Sequence, residues 1–117
     1  MAVMNDTDER LKEIVELTRL YDVYGPLLSD HSKNIFESYV LDNYSLSEIA
    51  EAEGISRQGV RDIVVRYSKK LYEYEEKLRF LEKLDKAAEE IEKIEKMLDD
   101  DAEVRVNFEK LKSIIEE

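Results

Sequence analysis

Residues 44–71 read YSLSEIAEAEGISRQGVRDIVVRYSKKL. Ser45 and Glu48 have the S-x-x-E spacing of a capping box, in which serine and glutamate reciprocally satisfy two orphan amides at a helix start. Leu46, Ile49 and Ala50 then fall on one side of a short helix. Gly54 stands where the chain must turn, and Ser56 can cap a second helix whose Val60, Ile63, Val64, Tyr67 and Leu71 recur at helical spacing. A small residue at the helix crossing (Ala50), a glycine turn, and Ile55, Val60 and Ile63 to lock the pair together make a helix-turn-helix.

Upstream, Leu11, Ile14, Val15, Thr18 and Tyr21 predict an amphipathic helix that Gly25-Pro26 ends. Ser29 is the expected N-cap of another helix, with Ile35, Phe36, Tyr39 and Val40 as its buried stripe and Asp42-Asn43-Tyr44 as its end. Downstream, neither glycine nor proline follows Gly59. The periodicity can therefore run unbroken through Tyr74, Leu78, Leu81, Leu84, Ala88, Ile91 and Ile94 to Leu98. Glu73 and Lys77, Glu75 and Arg79, Glu82 and Lys86, Glu89 and Lys93, and Glu92 and Lys96 are i,i+4 pairs that mark a wet face, each worth about 0.2–0.5 kcal/mol. Asp100 and Glu103 predict a further capping box, opening a last helix with Val104, Phe108, Leu111 and Ile115 on one side. The expectation is one all-α domain over 1–117: a flexible tail at 1–7, a helical core at 8–71 with the helix-turn-helix at 45–71, and a C-terminal helical arm with a final helix at 72–117.

Composition agrees with helices: 40% of residues are charged, and there are three glycines and one proline. The absence of cysteine excludes disulfides, thiolate metal sites and thiol nucleophiles, and fits a reducing compartment. No apolar run approaches the roughly 18 residues of a membrane span, and the start MAVMNDTDER lacks the pattern of a secretory signal. A cytoplasmic protein without membrane insertion is expected. His31 stands alone, the three glycines form no phosphate loop, and Asp99-Asp100-Asp101 lacks the spacing and glycine of a calcium loop. No enzyme activity, metal or cofactor is expected.

Charge is the difficulty. The chain carries 29 acidic residues against 18 basic ones, a net charge of -11. Within Ser56–Leu71, however, five cations (Arg57, Arg61, Arg66, Lys69, Lys70) face one anion, Asp62. A helical wheel puts Gln58, Arg61, Asp62, Val65 and Lys69 farthest from the apolar stripe. In a helix-turn-helix the second helix offers its first turns to the major groove, where arginine pairs with guanine and glutamine with adenine. The nucleic-acid-binding candidates are Ser56, Arg57, Gln58 and Arg61 at the bases, Val65 against a thymine methyl or a protein, and Lys69 and Lys70 on phosphates. Asp62 is either neutralised by Arg66 or lies near phosphate and weakens binding. Gly59, costing about 1 kcal/mol against alanine inside a helix, marks either close packing or tolerance. The competing reading is an αα corner whose cations balance acidic neighbours.

The stretches LYDVYGPLLSDHSKNIFESYVLDNYSLSEIAE, GISRQGV and YEEKL resemble the YlxM/p13-like, or UPF0122, family of small helix-turn-helix proteins. Their helix-turn-helix in turn resembles region 4 of bacterial sigma factors. The resemblance implies a bacterial cytoplasmic regulatory protein associated with the signal recognition particle pathway. The partners expected are promoter DNA or, in the alternative, protein or RNA components of that particle. A homodimer, joined through the C-terminal arms or the first helices, would present two basic helices and offset the weak counterion release of an acidic body.

Overall fold

The structure, a computed structural model, describes residues 6–98 and 101–116. The described residues form six α-helices and two short 3-10 turns: α1 (Asp6–Tyr24), turns at Gly25–Leu27 and Asp30–Ser32, α2 (Lys33–Val40), α3 (Leu46–Glu53), α4 (Arg57–Leu78), α5 (Phe80–Met97) and α6 (Ala102–Glu116). The fold is the all-α helix-turn-helix architecture expected. Compactness divides it into two units, one running to Leu78 and one beginning at Arg79. Of the expected tail, residues 1–5 lie outside the described residues, and Asp6 already belongs to α1.

In the first unit α4 is the central element, packed against α1, α2 and α3. Its Val60, Val64, Tyr67 and Leu71 are buried, and they meet Leu17, Leu20 and Tyr24 of α1, Ile35, Phe36 and Val40 of α2, and Ile49 and Ala50 of α3 in one apolar core. The rings of Tyr21, Phe36 and Tyr67 form a chain of tilted contacts with centroids 5.5 and 5.7 Å apart. Tyr67 also ties the core to the backbone: its hydroxyl donates to Ser29 O (3.0 Å) and accepts from the buried Ser32 N–H (2.9 Å). Farther along α4, the Tyr24 hydroxyl donates to Glu75 and its ring lies 5.9 Å from that of Tyr74. Burial first, and the neighbouring Glu37 carboxylate second, raise the pKa of Tyr21 above the ordinary tyrosine range.

Several expectations are corrected here. The buried stripe of α1 is Leu17, Leu20 and Tyr24, whereas Leu11 and Val15 are 53% and 60% exposed. At about 100° per residue these three lie on a different side of α1 from Leu11 and Val15, so the core-facing stripe is rotated about the helix axis from the one the spacing selected. Ser29 caps nothing with its side chain: the 3-10 turn Asp30–Ser32 intervenes, and α2 starts at Lys33. Ile55 is 40% exposed at the tip of the turn, so it does not lock the helix pair.

The continuous pattern from Val60 to Leu98 is broken at Arg79, whose φ is +54°. A left-handed residue other than glycine costs roughly 1–2 kcal/mol, so nothing in local propensity announces the break. Arg79 becomes the N-cap residue of α5, accepting from Lys83 N–H at 3.0 Å, and its side chain reaches Glu82 at 3.2 Å. The second unit is then a helical hairpin in which α5 packs on α6, burying Ile91 and Phe108. One edge of it is joined by Lys112 and Glu95 at 3.3 Å, a hydrogen bond that raises the lysine pKa. Glu82–Lys86 and Glu92–Lys96 pair as the spacing predicted, while Lys93 turns to Glu90 at 3.1 Å, and in place of the expected Glu75–Arg79 pair Arg79 reaches Glu82 and Glu75 accepts from Tyr24. Asp100 lies outside the described residues. Asp101 caps α6, accepting from Glu103 N–H at 2.9 Å and Val104 N–H at 3.3 Å.

Candidate nucleic-acid interface

The two helices of the motif are positioned by their caps. Ser45 Oγ accepts from Glu48 N–H at 3.0 Å and Glu48 Oε1 accepts from Ser45 N–H at 3.1 Å, the capping box the sequence predicted. The Ser45 backbone N–H first, and the Ser45 side chain second, hold the Glu48 carboxyl below its usual range, with a smaller contribution from the charge of Arg10. Gly54 ends α3 with φ +67° and ψ +32°, a left-handed conformation that glycine adopts without a Cβ clash. Ser56 then caps α4, its Oγ accepting from Gly59 N–H at 2.9 Å. A Cβ at Gly59 would sit 3.1 Å from that Oγ, so the glycine lets the capping hydroxyl lie close over the first turn.

Each predicted contact residue can now be placed. Ser56, Arg57, Gln58, Arg61, Val65, Lys69 and Lys70 are all exposed. Gln58, Arg61, Val65 and Lys69 share the face turned away from Val60, Val64, Tyr67 and Leu71, while Arg57 and Lys70 flank it on opposite sides. Ser56 is occupied as a cap. Asp62 is held by Gln58, whose amide donates to it at 2.8 Å, so its neighbour is not Arg66, whose guanidinium lies 5.9 Å from the Tyr67 ring centre. The outer face changes character within one helix. Cations occupy its first turns, but farther on Tyr72 lies beside Glu16 and Glu13 of α1, and burial together with these carboxylates pushes the phenol up to about 12.

Two depressions lie in the first unit. One, between α2 and α3, is an apolar groove of about 500 Å³ lined by Ser38, Tyr44, Ile49 and Ala52 with Glu48, Glu51 and Glu53. The other, smaller, contains Arg57 and also Arg10 of α1, a residue absent from the sequence-based candidates because it lies far outside the motif. His31 is exposed in a 3-10 turn. Among the described residues no group of three or more His, Cys, Asp or Glu could hold a metal, and no helix is long and apolar enough to cross a membrane.

A capped, glycine-turned helix pair on a three-sided helical core, with a cationic outer face on the second helix, defines a helix-turn-helix protein. Residues 11–112 match the family described as "Putative helix-turn-helix protein, YlxM / p13 like", UPF0122, and the chain belongs to that family. Among relatives, a UPF0122 protein of Caldanaerobacter subterraneus is 48% identical over 82 residues, 70% of each chain. One from Oceanobacillus iheyensis is 36% identical over 104 residues, 89% of this chain and 98% of its own, and one from Symbiobacterium thermophilum is 34% identical over 89 residues, 76% and 83%. The family match reaches into α6, well past the stretches in which the resemblance is most visible.

Proposed function

We propose that this protein is a non-enzymatic regulatory protein that binds duplex DNA, laying the first turns of α4 in the major groove. Gln58 and Arg61 address base edges, Val65 offers an apolar contact, and Ser56 and Arg57 stand at the entering end. Lys69 and Lys70 lie along the phosphates. The observation that carries this reading is that the cationic side of α4 is exposed while its opposite side is fully used by the core. A second copy would double the contact. Ile94 and Met97 of α5 with Leu111 and Ile114 of α6 remain exposed and offer a seam for a homodimer.

The acidic body limits general affinity, so binding is salt-sensitive and depends on the right sequence. Titration of genomic fragments at low salt tests this. A preferred duplex is expected, and Gln58→Ala with Arg61→Ala weakens it about tenfold or more. Equal binding to random duplexes, unaffected by the double substitution, overturns the reading.

The groove rimmed by Glu48, Glu51 and Glu53 favours a second reading, in which the chain is a cytoplasmic accessory of the signal recognition particle pathway that docks on a basic protein partner. The link to that pathway rests on the family resemblance. Recovery of targeting components, resistant to nuclease, with protein purified from cells would favour this reading over the first.

A further inference from the structure

The smaller cleft beside α4 has a lining drawn from four separate stretches of chain: Arg10 of α1, Tyr39 of α2, Ser45, Leu46 and Ser47 at the start of α3, and Arg57 at the start of α4. Its volume is about 260 Å³. That lies under the roughly 300–1,000 Å³ of small-molecule sites, so it suits one functional group projecting from a larger molecule. Two arginines distant in sequence line this one depression together with Ser45, whose hydroxyl is engaged in the cap, and Ser47. Such a set of donors recognises a tetrahedral oxyanion, because the arginine fork matches two oxygens and a hydroxyl can donate to a third.

Arg10 is held ready. Its guanidinium lies 5.3 Å from the centre of the Tyr39 ring, a stacking contact that limits its freedom without occupying its donors. Its hydrogen bond to Tyr44 O is long, at 3.5 Å, and is easily exchanged for a stronger acceptor. Arg57 is exposed and pairs with no described carboxylate. Glu48, the carboxylate acting on Arg10, is already engaged with Ser45 N–H.

We propose that Arg10 and Arg57, with the Ser47 hydroxyl, clamp one backbone phosphodiester of a nucleic acid lying along α4. This rests on the nucleic-acid reading given above and deepens it: Arg57 serves the backbone, leaving Gln58 and Arg61 for the bases, and Arg10 of α1 fixes how the helix-turn-helix is seated. Phosphate contacts set register and orientation and contribute to the salt dependence, without distinguishing one sequence from another.

The test is fluorescence anisotropy of a labelled DNA duplex and, in parallel, a labelled RNA hairpin, titrated with the full chain over a range of salt concentrations. Arg10→Gln should lower the slope of log affinity against log salt by about one and weaken preferred and random duplexes alike. Arg10→Lys should recover part of the loss, and Lys12→Gln on the same helix should change nothing. Glu48→Gln, which keeps a residue competent for the capping box, should tighten binding by removing the nearby negative charge. Melting curves that coincide for these variants show that the fold is intact.

A wild-type protein that binds duplex with a slope Arg10→Gln leaves unchanged overturns the clamp but keeps the major-groove reading. Arg10-dependent binding to the RNA hairpin alone keeps the clamp and overturns the DNA reading. Binding of neither overturns both.

Discussion

Helices α4 and α5 are both long, charged and amphipathic, yet one is embedded and the other is barely covered. Four side chains of α4 are buried, Val60, Val64, Tyr67 and Leu71, whereas α5 buries Ile91. Periodicity does not explain this, since α5 has the cleaner apolar stripe. Neighbours do: α4 is packed by α1, α2 and α3, while α5 is packed by α6 in a two-helix hairpin. A stripe in the sequence thus states which face seeks cover; how much cover it receives is decided by how many other stripes the chain brings to it.

The largest effect expected is on the embedded helix. Leu71→Ala removes a fully buried side chain and should cost about 2–5 kcal/mol, whereas Ile91→Ala on α5 should cost less than Leu71→Ala, because a hairpin closes more easily around a lost side chain. Urea unfolding of both variants checks the ordering, and equal losses would erase the contrast. Hydrogen exchange sharpens it, with amides of α4 expected to exchange more slowly than those of α5 and α6.

Next is the hydrogen-bond anchor of the core. Tyr67→Phe leaves the buried Ser32 N–H without its acceptor and should cost about 1–3 kcal/mol, measured by the same unfolding curves. Ser45→Ala removes the capping hydroxyl of α3 and should cost about 1 kcal/mol.

The glutamate of that cap makes the loss depend on pH. The folded-state pKa of Glu48 lies below its unfolded value. Its carboxylate therefore contributes fully above the ordinary glutamate range, and the contribution is lost as pH falls through the depressed value. The stability gap between wild type and Glu48→Ala should accordingly narrow on acidification, as followed by melting at several pH values. The smallest effect belongs to the hairpin edge. Lys112→Ala breaks a solvent-screened ion pair with Glu95 and should shift the urea midpoint least of all these variants.

Much of the motif could be read directly. The capping box at Ser45 and Glu48 follows from spacing because its bonds are local, and the inward residues of α4 follow from periodicity because that helix is covered along most of its length. The break at Arg79 was not legible. An arginine with positive φ has no signature in sequence, and the residues around it continue the apolar pattern. The stripe of α1 was also misplaced, since Leu11 and Val15 have helical spacing but lie on the exposed side of α1, turned away from the side that carries Leu17, Leu20 and Tyr24. At the candidate site, the exposed residues of α4 were identified from the wheel, whereas Arg10 was missed. Its approach to Arg57 depends on α1 and α2 bringing Tyr39 beneath it, a tertiary arrangement with no footprint in local spacing.

Tyr67 and Arg61 belong to one uninterrupted helix of 22 residues, so the angle between the anchored side and the contacting side is fixed by helix geometry. An added residue between them would rotate one relative to the other by about 100°. Substitution along α4 leaves that angle as it is, but insertion or deletion there turns Gln58 and Arg61 out of the proposed interface while Tyr67 stays moored. The stretch between them therefore accommodates an exchange of side chains far more readily than a change of length.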